Sequence, residues 1–314
     1  MRIDLNRVDA RLDTADSKWW RELPPHQKKL YLSQHPKSKL KATDAKPAPA
    51  APKFTPSAVA APKDFVYMDG GAQSAQTQKG LAHAWNHTLP LPVATFKRVM
   101  ARPGDQMEFE PVLSANGVSA VNMYVEGRNG SFTMSRLFQR NHKTNELTVA
   151  HSEFTVANRQ QGKGIGKEML RKHMAQYQKM GVQRITLHAN CDVGGYAWAK
   201  YGFTPTKEEW RDLREEIASY ADHVDLLTVE QEADREALAK ELKRIGASDD
   251  PKALWDLADL TTPVKRGDGR VKPYGKDLLQ RLGWEGELRL DDAKAMQRFY
   301  NYVGEAKPAT KPAV

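Results

Sequence analysis

The chain has 314 residues, 48 Lys/Arg against 39 Asp/Glu for a net charge of +9, 40% hydrophobic residues and one cysteine. A lone Cys191 excludes an intrachain disulfide framework and fits a reducing compartment, and we read that thiol as structural. No apolar run approaches the roughly eighteen residues of a membrane span, and Met1-Arg2-Ile3-Asp4 opens no signal-peptide pattern, so the expected location is cytoplasmic.

The charge is uneven: residues 1–63 hold 13 Lys/Arg against 6 Asp/Glu, which leaves only +2 for the rest. Within this stretch, residues 1–45 read as a basic helical arm. Trp19 and Trp20 anchor it, Pro24-Pro25 opens a second helix, and Leu30, Tyr31 and Leu32 form its apolar side. Lys46 to Lys63 carries five prolines and many alanines, the composition of a semi-extended linker. The arm is therefore a tethered docking element for a protein partner, and nucleic-acid binding is not predicted from its charge alone.

From residue 64 the pattern becomes that of a folded core. His83 and His87 stand four apart, but no third ligand occurs at useful spacing, so no metal site is predicted. Met107 to Leu113 reads as a strand provided that Pro111 sits at an edge or bulge. Val121, Met123 and Val125 alternate on a second strand and Phe132 and Met134 on a third, with Asn129-Gly130 as a two-residue hairpin signal between them. Phe154 and Val156 alternate with Glu153 and Thr155 on a fourth.

The run Arg159 to Met169, RQQGKGIGKEM, places a glycine-rich turn where that strand ends and an amphipathic helix begins. Helix-start amides point outward and carry the positive end of the macrodipole, so a phosphate fits there. Gly162, Gly164 and Gly166 let backbone approach a ligand closely, and Lys163 and Lys167 add charge. Ile165, Met169, Leu170, Met174 and Tyr177 form the helix's apolar side and Gly181 its C-terminal cap. A dinucleotide fingerprint fails because the third glycine comes one residue early. A P-loop fails because Gly162 comes one residue late and Glu168 replaces the hydroxyl.

Gln161-Gly162-Lys163-Gly164-Ile165-Gly166 instead resembles the Arg/Gln-x-x-Gly-x-Gly/Ala signature of GNAT-type N-acetyltransferases. Beyond the helix, the β-like run Arg184 to Ala189, then Asn190, then Trp198-Ala199-Lys200-Tyr201-Gly202-Phe203 resemble the family's next elements in order. The resemblance is close over about sixty residues and implies a fold of the α/β (α+β) class, a mixed, mostly antiparallel twisted sheet flanked by helices, over a core of residues 64–205. It implies acetyl-coenzyme A as co-substrate. Phe154, Thr155, Val156, Gln161, Gly162, Lys163, Gly164, Ile165, Gly166, Lys167, Asn190 and Trp198 would hold it, and an amine-bearing protein or small molecule would accept the acetyl group by direct attack.

Such an attack needs a base. His151 and Glu153 are the candidates, since alternation puts both on one face opposite Phe154 and Val156, with His188 third. The departing thiolate marks a departure from the family: many members carry a tyrosine four residues before the closing Gly-Phe, where this chain has Trp198, whose indole is no useful acid. Tyr196 and Tyr201 lie roughly 200° and 300° round a helix from Trp198 and are expected to point away from it.

Downstream, Thr206 with Glu209 and Thr228 with Gln231 form capping boxes, and a third helix is expected from Asp250-Pro251. Residues 206–283 are either a helical insertion or lid beside the substrate entrance or a plain helical domain. Residues 284–304 are expected to supply a strand returning to the sheet as its final member and a helix capped by Asp291, and 305–314 a disordered tail. The segment from Leu23 to Leu40 resembles short stretches of bacteriophage-encoded proteins. Two functional classes are therefore open: an acetyltransferase, or a phage structural or interaction protein, in that case virion-associated, that keeps the fold with weak or no catalysis.

Overall fold

Alternating apolar residues from Met107 to Val156 fold as a meander, because each strand then buries one face and leaves the other to water. The computed structural model describes residues 75–113, 118–141, 143–189, 194–226, 228, 232–265 and 269–304. The basic arm, the linker, the tail, Asn190 and Cys191 lie outside the described residues, as does Gln231 of the second capping box.

In chain order the elements are α1 (Ala75–Thr88), α2 (Val93–Met100), β1 (Gln106–Leu113), β2 (Val118–Glu126), β3 (Phe132–Asn141), β4 (Leu147–Val156), α3 (Ile165–Met180), β5 (Val182–Ala189), α4 (Gly194–Lys200) and β6 (Thr204–Pro205). Then come α5 (Lys207–Ser219), α6 (Glu232–Gly246), α7 (Ala253–Asp259), β7 (Pro263–Lys265), β8 (Val271–Pro273), α8 (Tyr274–Leu279), β9 (Trp284–Arg289) and α9 (Ala293–Val303). Seven strands form one sheet in the order β1-β2-β3-β4-β5-β9-β6, and β7 with β8 makes a separate two-stranded ribbon. Every neighbouring pair in the large sheet is antiparallel except β4 with β5. The architecture is thus mixed α and β, with a mostly antiparallel sheet flanked by helices.

Pro111 sits on β1, the edge strand, in register with Val121 of β2. The β2–β3 connection is longer than the two residues expected. Asn129 and Gly130 do take positive φ, 58° and 63°, but within a loop from Gly127 to Ser131 that is closed by the Gly127 amide donating to the Phe132 carbonyl at 2.8 Å. The α3-facing side of the sheet carries Phe109, Met123, Met134, Phe138, Val149 and Ile185, all buried. Trp85 packs edge-on against Phe109 at 4.8 Å and Phe96 against Phe138 at 5.3 Å, which fixes α1 and α2 over β1 to β3.

Trp284–Arg289 enters the sheet, but not at its margin: β9 lies between β5 and the two-residue β6, which takes the outer place. The last helix is capped by Asp292, which accepts from the Lys294 and Ala295 amides at 3.0 and 3.1 Å, while Asp291 pairs with Arg289. Thr206 caps α5 by accepting from the Glu209 amide at 3.2 Å. The helices of 206–283 share the core with α4 and α9. Trp255 donates to the Phe203 carbonyl at 2.9 Å, and Asp259 pairs with both Lys200 and Arg298, at 2.6 and 2.8 Å. Among the described residues no helix is long and apolar enough to cross a membrane.

Two glycines let these helices meet at backbone distance. A Cβ at Gly195 would stand 2.1 Å from the Leu279 carbonyl oxygen, and one at Gly275 1.9 Å from that of Leu257, whereas Gly80 has open space. Gly195→Ala is therefore expected to cost about 1–3 kcal/mol by overpacking, and Gly80→Ala to stabilise by about 0.5–1 kcal/mol through helix propensity. Urea unfolding checks both; an unchanged midpoint for Gly195→Ala would rule out this approach of α4 to α8.

Candidate functional site

The site grows out of one irregularity in β4. Ser135 pairs with Glu153 and the next residue of β3, Arg136, pairs with His151, so Ser152 is an extra residue, a β-bulge. A one-residue slip reverses the alternation beyond it. The expectation that His151 and Glu153 share a face opposite Phe154 and Val156 is corrected accordingly. His151 turns toward α3, and Phe154 and Val156 come up on that same side, paired with Met134 and Phe132. Glu153 emerges on the open face, exposed, where its Oε1 accepts from Thr133 and Thr155 hydroxyls at 3.4 Å each.

The bulge also marks where two strands part. The parallel ladder of β4 and β5 runs from Leu147 with Val182 to His151 with Leu187 and stops there. Beyond it β4 continues to Val156 and β5 to Ala189, which pairs on its other side with Trp284 of β9. The result is a notch with one free edge of β4 along it. Trp198 of α4 stands at the β5 end, its Cδ1 3.8 Å from where a Gly194 Cβ would be, with Ala189 backbone at 3.7 Å from that point.

At the end of β4 the chain makes a 3₁₀ turn, Asn158–Gln160, and enters α3. Gln161 donates to the Val156 carbonyl at 3.2 Å and to Asn158 Oδ1 at 3.1 Å, so its side chain ties the turn together. Arg159 donates to the Asn129 carbonyl at 2.7 Å and anchors the turn to the β2–β3 loop, and Lys163 reaches Gln160 at 3.2 Å. Gly162 and Gly164 have φ of 76° and 80°, a left-handed backbone, with open space where side chains would be. Gly164 is the N-cap of the 16-residue α3 and offers no side-chain cap. The first intrahelical bond is Glu168 to Gly164, 3.0 Å, so the amides of Gly164, Ile165, Gly166 and Lys167 have no acceptor within the helix. Gly166 packs on Phe154, whose Cε1 would be 3.3 Å from a Cβ there, and Lys167 lies 4.2 Å over the Tyr302 ring.

The two tyrosines near Trp198 separate. Tyr196 turns toward Lys276, 5.8 Å away, whereas Tyr201 lies beside Trp198 with ring centroids 5.7 Å apart. The expectation that Tyr201 points away is corrected: 300° around a helix is 60° the other way, an i, i+3 neighbour. The Tyr201 hydroxyl would be 4.0 Å from a Gly166 Cβ, so it faces the start of α3. Burial, with Tyr302 adding to it, pushes this phenol above its ordinary range and keeps it a hydrogen-bond donor.

Of the candidate bases, His151 is 5% exposed, with Nε2 3.2 Å from the Tyr177 hydroxyl and Nδ1 unpartnered. Burial first, then the charge of Arg136, holds its pKa well below 6.5. It is a neutral core imidazole. Glu153 and His188 instead stand on the open face on either side of the notch, and His188 Nδ1 lies 2.8 Å from Glu285 of β9. A carboxylate against Nδ1 orients the imidazole ring. Sequence reading missed Glu285 because nearly a hundred positions separate it from His188; it missed Tyr201 although helical spacing contained it. Among the described residues no group of three His, Cys, Asp or Glu is arranged to hold a metal. Neither a protein-family model nor a curated protein matches the chain.

The buried histidines give a pH signature. His173 Nε2 donates to the Met100 carbonyl at 2.9 Å, and burial lowers its pKa to about 3. Both His151 and His173 bind protons later in the folded state than in the unfolded chain, whose histidines titrate near 6.5. The contribution of His173 is thus complete above about pH 6.5 and is lost as pH falls toward 3, by about 1.4 kcal/mol per pH unit, and His151 acts in the same direction. Urea unfolding from pH 7 to pH 4 should show this slope, reduced in His173→Gln; equal slopes would contradict it.

Proposed function

We propose that the chain is a GNAT-type N-acetyltransferase that moves the acetyl group of acetyl-coenzyme A to a primary amine. The observation that carries the reading is the order of three features within residues 152–167: a bulge, a free β4 edge beside a parted parallel strand, and a glycine turn opening a helix with uncapped amides.

In this reading the amides of Gly164 to Lys167 receive the pyrophosphate, assisted by the helix dipole and by the side chains of Lys163 and Lys167. The free edge from Glu153 to Val156 pairs with the amide-bearing arm as an added strand would. A backbone N–H at the bulge polarises the thioester carbonyl as the amine nitrogen attacks its carbon. Glu153, directly or through water, takes the proton the amine must lose, and the C–S bond breaks to release the thiolate. Trp198 cannot return a proton to that sulfur; the Tyr201 hydroxyl offers a hydrogen bond near neutral pH and solvent supplies the proton. The acidic open face suits a cationic acceptor, since Glu108, Glu110 and Glu126 share it with Glu153.

Calorimetry with acetyl-coenzyme A tests the cradle. The wild type should bind, Gly164→Asn should bind within a few-fold because Asn tolerates positive φ, and Gly164→Glu should lose at least about tenfold. No binding by the wild type would sink the acetyltransferase reading and leave an interaction protein. Given an acceptor from an amine screen, Glu153→Gln should slow transfer about a hundredfold with coenzyme affinity unchanged. If His188→Asn carries the loss instead, the base is the His188–Glu285 pair.

A further inference from the structure

Arg136 is the most deeply buried arginine of the core, 1% exposed, and among the described residues no carboxylate lies within ion-pair distance of it. A buried guanidinium without a counter-charge is costly, and hydrophobic residues of similar volume would ordinarily serve a core better. Nor is it fully used, since its Nε has no partner. Burial lowers its pKa to about 10, which leaves it charged at neutral pH.

What it does make is specific to the bulge. Its Nη1 donates to the Ser135 carbonyl on β3 and to the Glu153 carbonyl on β4, both at 2.7 Å. Ser135 and Glu153 are the last pair in register before the shift, so one nitrogen bridges the two strands at the slip. The guanidinium carbon lies 5.8 Å from the centre of Phe154, and the Tyr177 hydroxyl, which also meets His151, is beside it. Without a donor here both carbonyls would lose a charge-assisted bond, and the strand would gain by absorbing Ser152 into a regular ladder. That would turn Glu153 inward and Phe154 outward, away from Gly166. No apolar residue replaces that bridge, and a lysine ammonium, on a differently shaped stem, replaces it only in part.

We propose that Arg136 is a positioning residue that staples the β4 bulge and thereby sets the geometry at the acyl end of the site, while the glycine cradle is independent of it. The proposal rests on the acetyltransferase reading for its acyl part. The staple itself does not need that reading.

The full-length chain, Arg136→Met and Arg136→Lys are compared by amide hydrogen exchange and by calorimetry with coenzyme A and acetyl-coenzyme A. In Arg136→Met, protection of the segment 150–156 should fall about tenfold while that of 120–126 on β2 stays within twofold, and Arg136→Lys should restore part of it. Coenzyme A affinity should persist, and any difference between acetyl-coenzyme A and coenzyme A should vanish. Uniform loss of protection across the sheet with equal weakening of both ligands would mean an ordinary core role, and unchanged protection at 150–156 would mean no staple; either overturns the proposal. If Arg136→Met does not fold, Arg136→Lys decides: native-like exchange at 150–156 with a single ammonium overturns it. If the wild type binds neither ligand, the coenzyme reading and the acyl part fall together, and the exchange data still decide the staple.

Discussion

The site depends on one extra residue. Ser152 breaks the register between β3 and β4, and each later feature takes its orientation from that break. Before it, His151 points into the core against Tyr177. After it, Phe154 joins the same side and seats Gly166 at the start of α3, while Glu153 is turned to water. The parallel ladder with β5 ends at the same level, because a strand that has bent away can no longer hold an even ladder with its straight neighbour. Bulge, notch and helix start are thus one structural event read at three places along the chain.

Charge is partitioned around that event. Arg159, Lys163 and Lys167 cluster at the uncapped start of α3, where the helix dipole has the same sign. The open face of the sheet carries Glu108, Glu110, Glu126 and Glu153, and across the notch Glu285 and Glu287. Under the proposed reaction the anionic donor and the cationic acceptor would approach from ends of opposite polarity, and neither need cross the field that favours the other. The core beneath holds His151 and His173 neutral beside the charged Arg136.

Much of the fold was legible because it is written in period and punctuation. The alternation of Val121, Met123 and Val125, the spacing of Met169, Leu170, Met174 and Tyr177, and Gly181 as a left-handed cap all report local preferences that survive tertiary packing. The glycine turn was legible for the same reason. What escaped depends on distant partners or on a slip of one. A bulge leaves no mark in composition, so alternation carried straight through Ser152 put His151 on the face of Glu153, whereas only Glu153 lies opposite Phe154 and Val156. The insertion of β9 between β5 and β6 and the meeting of His188 with Glu285 require pairings that no local window contains. Asp292 and not Asp291 caps α9 because two adjacent aspartates are equivalent until the neighbouring Arg289 claims one.

The place of β9 has a consequence for the order in which the molecule can be made. β1 to β5 and α3 are encoded contiguously and their pairings are short in sequence, so they can assemble as they appear. The outer edge of β5 has no partner until a strand about a hundred residues later is available, and β6, which comes soon after β5, has only β9 to pair with. During synthesis the glycine turn and the free edge of β4 therefore come into being beside a second, temporary free edge on β5. That edge would recruit stray strands unless something covers it, and the late arrival of Trp284–Arg289 is what removes this aggregation hazard.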